Sequence, residues 1–176
     1  MPSDLVDLIQ GAVKEGRKAR SAYYASIVLE DEQELGGPAP EAQLVNLENR
    51  VGRRLPPSYR TFLSLYNGWR MISGAIDLLS IEEMLGGPRA EQVHKWQQEA
   101  VRNDYEAITV RSLVIGLGEI TATRILLDPE TIGPDGEWAL VLYNRGEAEE
   151  YSSFIEWLEA SVAIFRNMVE HPKDYQ

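Results

Sequence analysis

Apolar residues in the first part of the chain recur with helical spacing, and further along they gather into short runs separated by glycine-rich turns. The clearest helical stretch is LVNLENRVGRRLPPSYRTFLSLYNG, from Leu44 to Gly68. Leu44, Leu47 and Val51 stand at i, i+3 and i+7, one face of a helix, and Gly52 supplies a left-handed stop. Leu55-Pro56-Pro57 turns a corner, because a proline can open a helix but not continue one. Tyr59, Phe62, Leu63 and Tyr66 stripe a second helix. Asn67-Gly68 reads as its cap, both residues tolerating positive φ; a hairpin turn at the same dipeptide fits the preceding stripe less well. Upstream, residues 4–29 carry Leu5, Leu8, Ile9, Ala12, Val13, Tyr23, Ile27 and Val28 on a helical stripe. Ser3 is its expected N-cap, and Gly11 and Gly16 are points where it could kink. Residues 30–40 read as a loop by composition.

Beyond Gly68 the period changes. Trp69 to Ile72 and Ala75 to Leu79 read as strands turned by Ser73-Gly74. Ser80 opens a single helical turn, Ile81 to Leu85, with Glu83 at the capping-box position, and Gly86-Gly87-Pro88 ends it. Residues 89–105 return to a mostly polar helix with Val93, Trp96 and Ala100 on its apolar side. Four strand-like segments follow at Leu113 to Leu117, Thr123 to Leu127, Trp138 to Tyr143 and Glu149 to Tyr151, close enough to form an antiparallel meander. The tail opens on the capping box Ser153-Phe154-Ile155-Glu156 and continues as a stripe of Phe154, Leu158, Val162, Phe165 and Val169 that Pro172 stops. These elements predict one α+β domain, a mainly antiparallel sheet of about five or six strands packed against the helices of 44–68 and the C-terminal helix. Residues 1–40 form an N-terminal helix and linker at its side, and residues 41–176 the main unit of one compact body.

The pairs Leu47-Glu48, Val51-Gly52, Leu55-Pro56, Tyr59-Arg60, Phe62-Leu63 and Asn67-Gly68, in this order, resemble the signature of the SUKH superfamily. That superfamily includes the Smi/Knr-type fungal cell-wall regulators and many bacterial immunity proteins. Leu127-Asp128-Pro129 is similar to the middle of the family pattern. Tyr151-Ser152-Ser153-Phe154, leading into Trp157-Leu158, is similar to its closing strand, Ser-Phe and helix. The resemblance covers the chain from about Glu41 to Val162 and implies a SUKH-like α+β fold. For the bacterial branch it implies an immunity protein that binds and neutralises a cognate toxin, often a nuclease or another nucleic-acid-targeting enzyme. The alternative it implies is a regulatory scaffold of the cell-wall-assembly type, whose fungal members carry long disordered flanks not seen in this sequence.

Composition adds constraints on where the protein acts. At 44% apolar and 26% charged it is an ordinary soluble globular chain. It has no apolar run of about 18 residues to cross a membrane. MPSDLVDLIQ has acids where a signal peptide needs bases. There are no cysteines, so disulfide and thiolate chemistry are excluded and a cytoplasmic location is expected. Charge changes the picture more. The net charge is −11, and residues 128–159 hold nine acids against the single base Arg145. Such a field repels nucleic acid and membranes and draws cationic partners, although a solvated acidic face is the plainer account.

Catalytic and metal chemistry find little to work with. The two histidines are His94, in a lone Glu91-x-x-His94, and His171; a di-metal bundle needs two such motifs. Gly116-Leu117-Gly118 follows a strand but leads into another strand, so a dinucleotide phosphate would meet no helix N-terminus. No Walker motif or Gly-x-Ser-x-Gly elbow is present, and nothing raises the pKa of one carboxylate in Asp128/Glu130 or Glu147/Glu149. No metal, no cofactor and no enzymatic activity are expected. Lys14, Arg17, Lys18 and Arg20 read as a solvated helix face, and Arg50, Arg53 and Arg54 as cations complementing a helix C-terminus. Trp69 and Trp138 read either as core or as aromatic interface anchors. The expectation is a binding protein whose partner is a protein, a basic toxin domain, and neither nucleic acid nor membrane. Its candidate contact residues are Trp69, Asp128, Glu130, Asp135, Glu137, Trp138, Glu147, Glu149 and Glu150. The signature residues are assigned to architecture.

Overall fold

The computed structural model describes residues 3–73 and 75–171. The Ser3 side chain, Gly74 and Pro172, expected as cap, turn and stop, fall outside what is described. The chain opens with helix α1 (Ser3–Ser26), a short strand β1 (Glu34–Leu35), and the helices α2 (Glu41–Val51) and α3 (Pro57–Leu65). Strands β2 (Trp69–Ser73) and β3 (Ile76–Leu78) come next, followed by helices α4 (Ile81–Leu85), α5 (Gly87–Arg102) and α6 (Ala107–Arg111). The second half holds β4 (Leu113–Gly118), β5 (Thr123–Ile132), β6 (Trp138–Asn144), β7 (Glu147–Tyr151) and the closing helix α7 (Phe154–Glu170).

All strands join one antiparallel sheet in the order β1-β2-β3-β4-β5-β6-β7, so every neighbour in space is a neighbour in sequence. Seven strands stand where about five or six were expected. The addition is β1, in a stretch read as loop: Glu34 pairs with Arg70 and Leu35 with Trp69. Gly36 then passes so near Asn67 that a Cβ on it would lie 2.3 Å from the Asn67 carbonyl oxygen.

The sheet is buried on both faces, which is why β4, β5 and β6 read as nearly continuous apolar runs. On one face Ile115, Ile125, Leu127, Trp138 and Leu140 meet α1, α2, α3 and α7 in the main core. On the other, Val114, Leu126, Val141 and Tyr143 meet Val93 and Trp96 of α5 and Ile108 of α6 in a smaller one. The rings of Tyr59 and Phe62 on α3 meet Phe154 of α7 at 5.1 and 5.0 Å between centroids, so the two most recognisable sequence stretches form a single aromatic cluster. Helix α1 runs unbroken from Ser3 to Ser26. Gly16 does not kink it but lets α7 approach: a Cβ there would sit 3.0 Å from Val162 Cγ2 and 3.5 Å from the Trp69 ring.

Local signals set most element ends. Gly52 ends α2 with φ 81°, and Ser80 with Glu83 forms a full capping box on α4. At α7 the box is half made: Ser153 Oγ accepts from Glu156 N–H, while the Glu156 carboxylate accepts from the backbone and hydroxyl of Ser152. The end of α3 differs from expectation. The helix stops at Leu65 with Tyr66 extended. Asn67 serves through its side chain, its Oδ1 accepting Ile81 N–H at 2.8 Å and its amide donating to Glu82 at 2.8 Å. Only Gly68 takes positive φ, at 93°, where a Cβ would meet Ser80 N at 2.9 Å.

Candidate partner-binding surface

The nine expected contact residues separate into two groups. Trp69 and Trp138 are each 2% exposed and belong to the main core. Neither can anchor a partner in this fold. Trp138 continues the alternation Trp138, Leu140, Leu142 that faces the helices, and Trp69 lies under α1 with its indole N–H donating to Gln33 Oε1 at 3.2 Å. Of the two readings open for the tryptophans, core packing is the one the coordinates favour.

Asp128 and Glu137 are also buried, each with a structural partner. Asp128 accepts from Arg111 Nε at 2.9 Å and Nη2 at 2.7 Å, a two-pronged bond that ties α6 to β5. The Arg111 hydrogen bond holds the Asp128 carboxyl below its ordinary range against the opposing effect of burial. Glu137 reaches the start of α3, where its two oxygens accept Ser58 N–H and Ser58 Oγ–H, both at 2.7 Å. Helix α3 begins on Pro56-Pro57 with no side-chain cap of its own. A proline has no N–H to satisfy, so Glu137 answers the first free donor of the helix and sets a negative charge at its positive end. Burial pushes the Glu137 carboxyl above its ordinary range, and the Ser58 bonds oppose that shift. These two carboxylates were expected on a contact face; desolvation is tolerated at each because its oxygens are hydrogen-bonded.

Five acids remain at the surface. Glu130 is exposed but lies 3.1 Å from Arg111, and Asp135, in the turn between β5 and β6, accepts from Glu137 N–H at 3.2 Å. Glu147, Glu149 and Glu150 occupy β7, which pairs only with β6 and so forms one edge of the sheet. All three are exposed. By register Glu147 and Glu149 lie opposite Asn144 and Leu142, on the face of the main core, and Glu150 lies opposite Val141, on the other face. Carboxylates thus flank the open edge on both sides. Glu149 accepts a 2.6 Å bond from the Tyr151 hydroxyl, whose pKa is pushed up to about 12 by burial and then by Glu149 itself. The acidic surface is therefore narrower than the acidic sequence, with β7 at its centre.

Sequence reasoning passed over three placements. Arg111 belongs to a five-residue helix too short to show a period. The Ser58–Glu137 contact spans 79 positions, so no local pattern announces it. Arg53 lies with its guanidinium 5.9 Å from the centre of the Trp138 ring and donates to the Pro129 carbonyl; it does more than complement the dipole of α2. Among the described residues no group of three or more His, Asp or Glu side chains is placed to hold a metal ion. Among the same residues no helix is long and apolar enough to cross a membrane.

Two helices ahead of an antiparallel meander whose strands keep their chain order, with one long helix closing the main core, define a particular class of α+β domain. Within that class the chain belongs to the SMI1 / KNR4 family (SUKH-1), which it matches over residues 38–160. The match begins just before α2 and runs into α7. No curated protein matches the chain.

Proposed function

We propose that this chain is a non-catalytic binding protein of the immunity type, which holds a cognate toxin with a basic, nucleic-acid-targeting domain and neutralises it in the cytoplasm. The observation that carries the reading is β7: Glu147, Glu149 and Glu150 are exposed on an open sheet edge, and none is ion-paired to a cation among the described residues. A surface that grips phosphates must be cationic, and an acidic strand competes for it directly. The outer backbone groups of β7 can pair with a strand of the partner. Steering by a net charge of −11 accelerates the encounter. The resemblance to bacterial immunity proteins points the same way.

The test is co-expression with the basic toxin domain encoded beside its gene. The chain is expected to restore growth, and the triple variant Glu147→Lys, Glu149→Lys, Glu150→Lys to lose that protection while melting at an unchanged temperature. Failure to protect, together with stable capture of cell-wall-assembly or signalling proteins, would replace this reading with that of a regulatory scaffold.

A further inference from the structure

By register Ala148 and Glu150 of β7 face the same side of the sheet as Tyr143 and Val141 of β6. This is the side that α5 and α6 cover. The loop between those helices, residues 103–106, is exposed throughout. It adjoins the end of β6 that carries β7: burial, then Glu106 and Tyr105, push the Tyr143 hydroxyl above its ordinary range, and Tyr143 stands opposite Ala148. Asp104 and Glu106 therefore add two carboxylates beside the acidic edge. Neither meets a cation among the described residues.

The loop is built to hold one shape. Asp104 takes the left-handed conformation, at φ 54°. Its N–H donates to the Val101 carbonyl at 3.4 Å, and the Tyr105 N–H to the Ala100 carbonyl at 2.9 Å, the paired bonds of a Schellman end. The Glu106 carbonyl accepts from Thr109 N–H at 2.9 Å and from Thr109 Oγ1 at 2.7 Å. Ala100 and Thr109, on either side, are fully buried. In such a helix end the residue after the left-handed one usually lays an apolar side chain back on the last turn. Tyr105 holds that position, but the residue it would cover is Ala100, which offers one buried methyl. Tyr105 is instead 47% exposed, next to Val101 at 63%. No guanidinium of the described chain lies over its ring.

A half-exposed aromatic ring on a fixed backbone, flanked by two unpaired carboxylates, suits a flat cation with a weakly hydrated face. Little ordering is left to pay for on binding. We propose that the α5–α6 loop and β7 form one continuous face, on which an arginine of the basic partner lays its guanidinium over Tyr105 while Asp104 and Glu106 meet its charge. The proposal rests on the reading of β7 as the edge that receives a basic partner, and it names the side of the sheet and the side chain by which that partner is gripped.

Amide-resonance titration of the full chain with a hexaarginine peptide tests the arginine site without the toxin. Shifts are expected at Asp104, Tyr105, Glu106 and Ala148. Tyr105→Ala should weaken the peptide about threefold to fivefold, the scale of an exposed cation–ring contact, and Tyr105→Phe should keep the affinity. Asp104→Asn, which tolerates the left-handed backbone, combined with Glu106→Gln should weaken it as well. Ile164→Ala, an equally exposed apolar position on α7 across the sheet, should change nothing, and all these variants should melt with the wild type. For the basic toxin domain encoded beside the gene, Tyr105→Ala should raise the dissociation constant about tenfold or more, as loss of a central aromatic anchor does. Peptide shifts confined to β7, or undiminished peptide binding by Tyr105→Ala, overturn the proposal. So does a toxin domain that binds Tyr105→Ala as tightly as wild type but releases the β7 triple variant; that result leaves the β7 reading standing. If the toxin domain does not bind wild type at all, the toxin reading falls instead and the peptide titration alone decides the arginine site.

Discussion

Glu137 offers the sharpest test of how the signature helix is held. Its two oxygens accept Ser58 N–H and Oγ–H at 2.7 Å each, and Ser58 is fully buried. Glu137→Ala removes both bonds and leaves two buried donors without an acceptor. Each loss costs roughly 1.5–3 kcal/mol when the acceptor is charged. Relief from burying a carboxylate returns part of that, so the net cost is about 3 kcal/mol. For a chain of this length that lowers the melting temperature by about 6–12 °C. Glu137→Gln should behave differently: its carbonyl still accepts, and its amide can donate to the freely rotating Ser58 hydroxyl, so its cost is within about 1 kcal/mol of zero. The pH dependence has a definite sign. The Glu137 carboxyl titrates above its ordinary 4.5 in the folded state, so the folded protein holds this proton more tightly than the unfolded chain. That contribution is fully present below pH 4.5 and is lost as pH rises through the folded value. Urea unfolding followed by tryptophan fluorescence, run on all three proteins from pH 4 to pH 8, should show wild type losing ground to Glu137→Gln as pH increases. An alanine variant within about 1 kcal/mol of wild type, or a wild type that gains on Glu137→Gln with rising pH, would refute this account of the helix start.

Asp128→Asn should cost about 2 kcal/mol at pH 7 by weakening the two-pronged Arg111 bond. Because the folded carboxyl titrates below its ordinary 3.8, the deficit should shrink as pH falls through the folded value, read from acid-range melts. Asn67→Ala removes the acceptor for Ile81 N–H and the donor to Glu82, at roughly 2 kcal/mol. Asn67→Asp keeps the acceptor but sets a carboxylate against Glu82, so thermal melts should show little rescue at pH 7 and more at pH 4. Gly68→Ala combines positive φ with a Cβ 2.9 Å from Ser80 N and should cost more than about 1 kcal/mol in the same melts. The association rate with a basic toxin domain, measured by stopped flow, should fall about tenfold or more as salt is raised from low to about 0.5 M; a rate indifferent to salt would remove steering from the account.

Periodic elements were legible because their signals are local. The stripes of α2, α3 and α7, the Gly52 stop and the Ser80 capping box all lie within a few positions of the structure they cause. So does the alternation that turns Trp138 inward, a signal that argues for core once Leu140 and Leu142 are read with it. What escaped reading depends on partners distant in sequence. Two residues of β1 are a strand only because Arg70 and Trp69 lie beside them. Glu137 and Asp128 looked like surface acids because Ser58 and Arg111 enter from other elements. The Asn67-Gly68 pair was noticed for the right residues and the wrong reason: tolerance of positive φ matters at Gly68, while Asn67 acts through its amide, which no turn preference encodes.

The unbroken strand order has a consequence for how the domain assembles. Each ladder can add to the one before it, and most joins close a short loop. The exceptions are β1 to β2, which must meet across residues 36–68, and β3 to β4, which must meet across residues 79–112. Closing so long a loop costs about 2 kcal/mol more than closing a tight turn, since the entropy grows only with the logarithm of length. Because β1 is only a two-residue edge strand while the β3–β4 join links the two halves of the sheet, formation of the β3–β4 join is the expected bottleneck in folding. By the same logarithm, α4, α5 and α6 can change in length while the ladder on either side survives, which makes this excursion the region where relatives can differ most freely in what they carry on that side of the sheet.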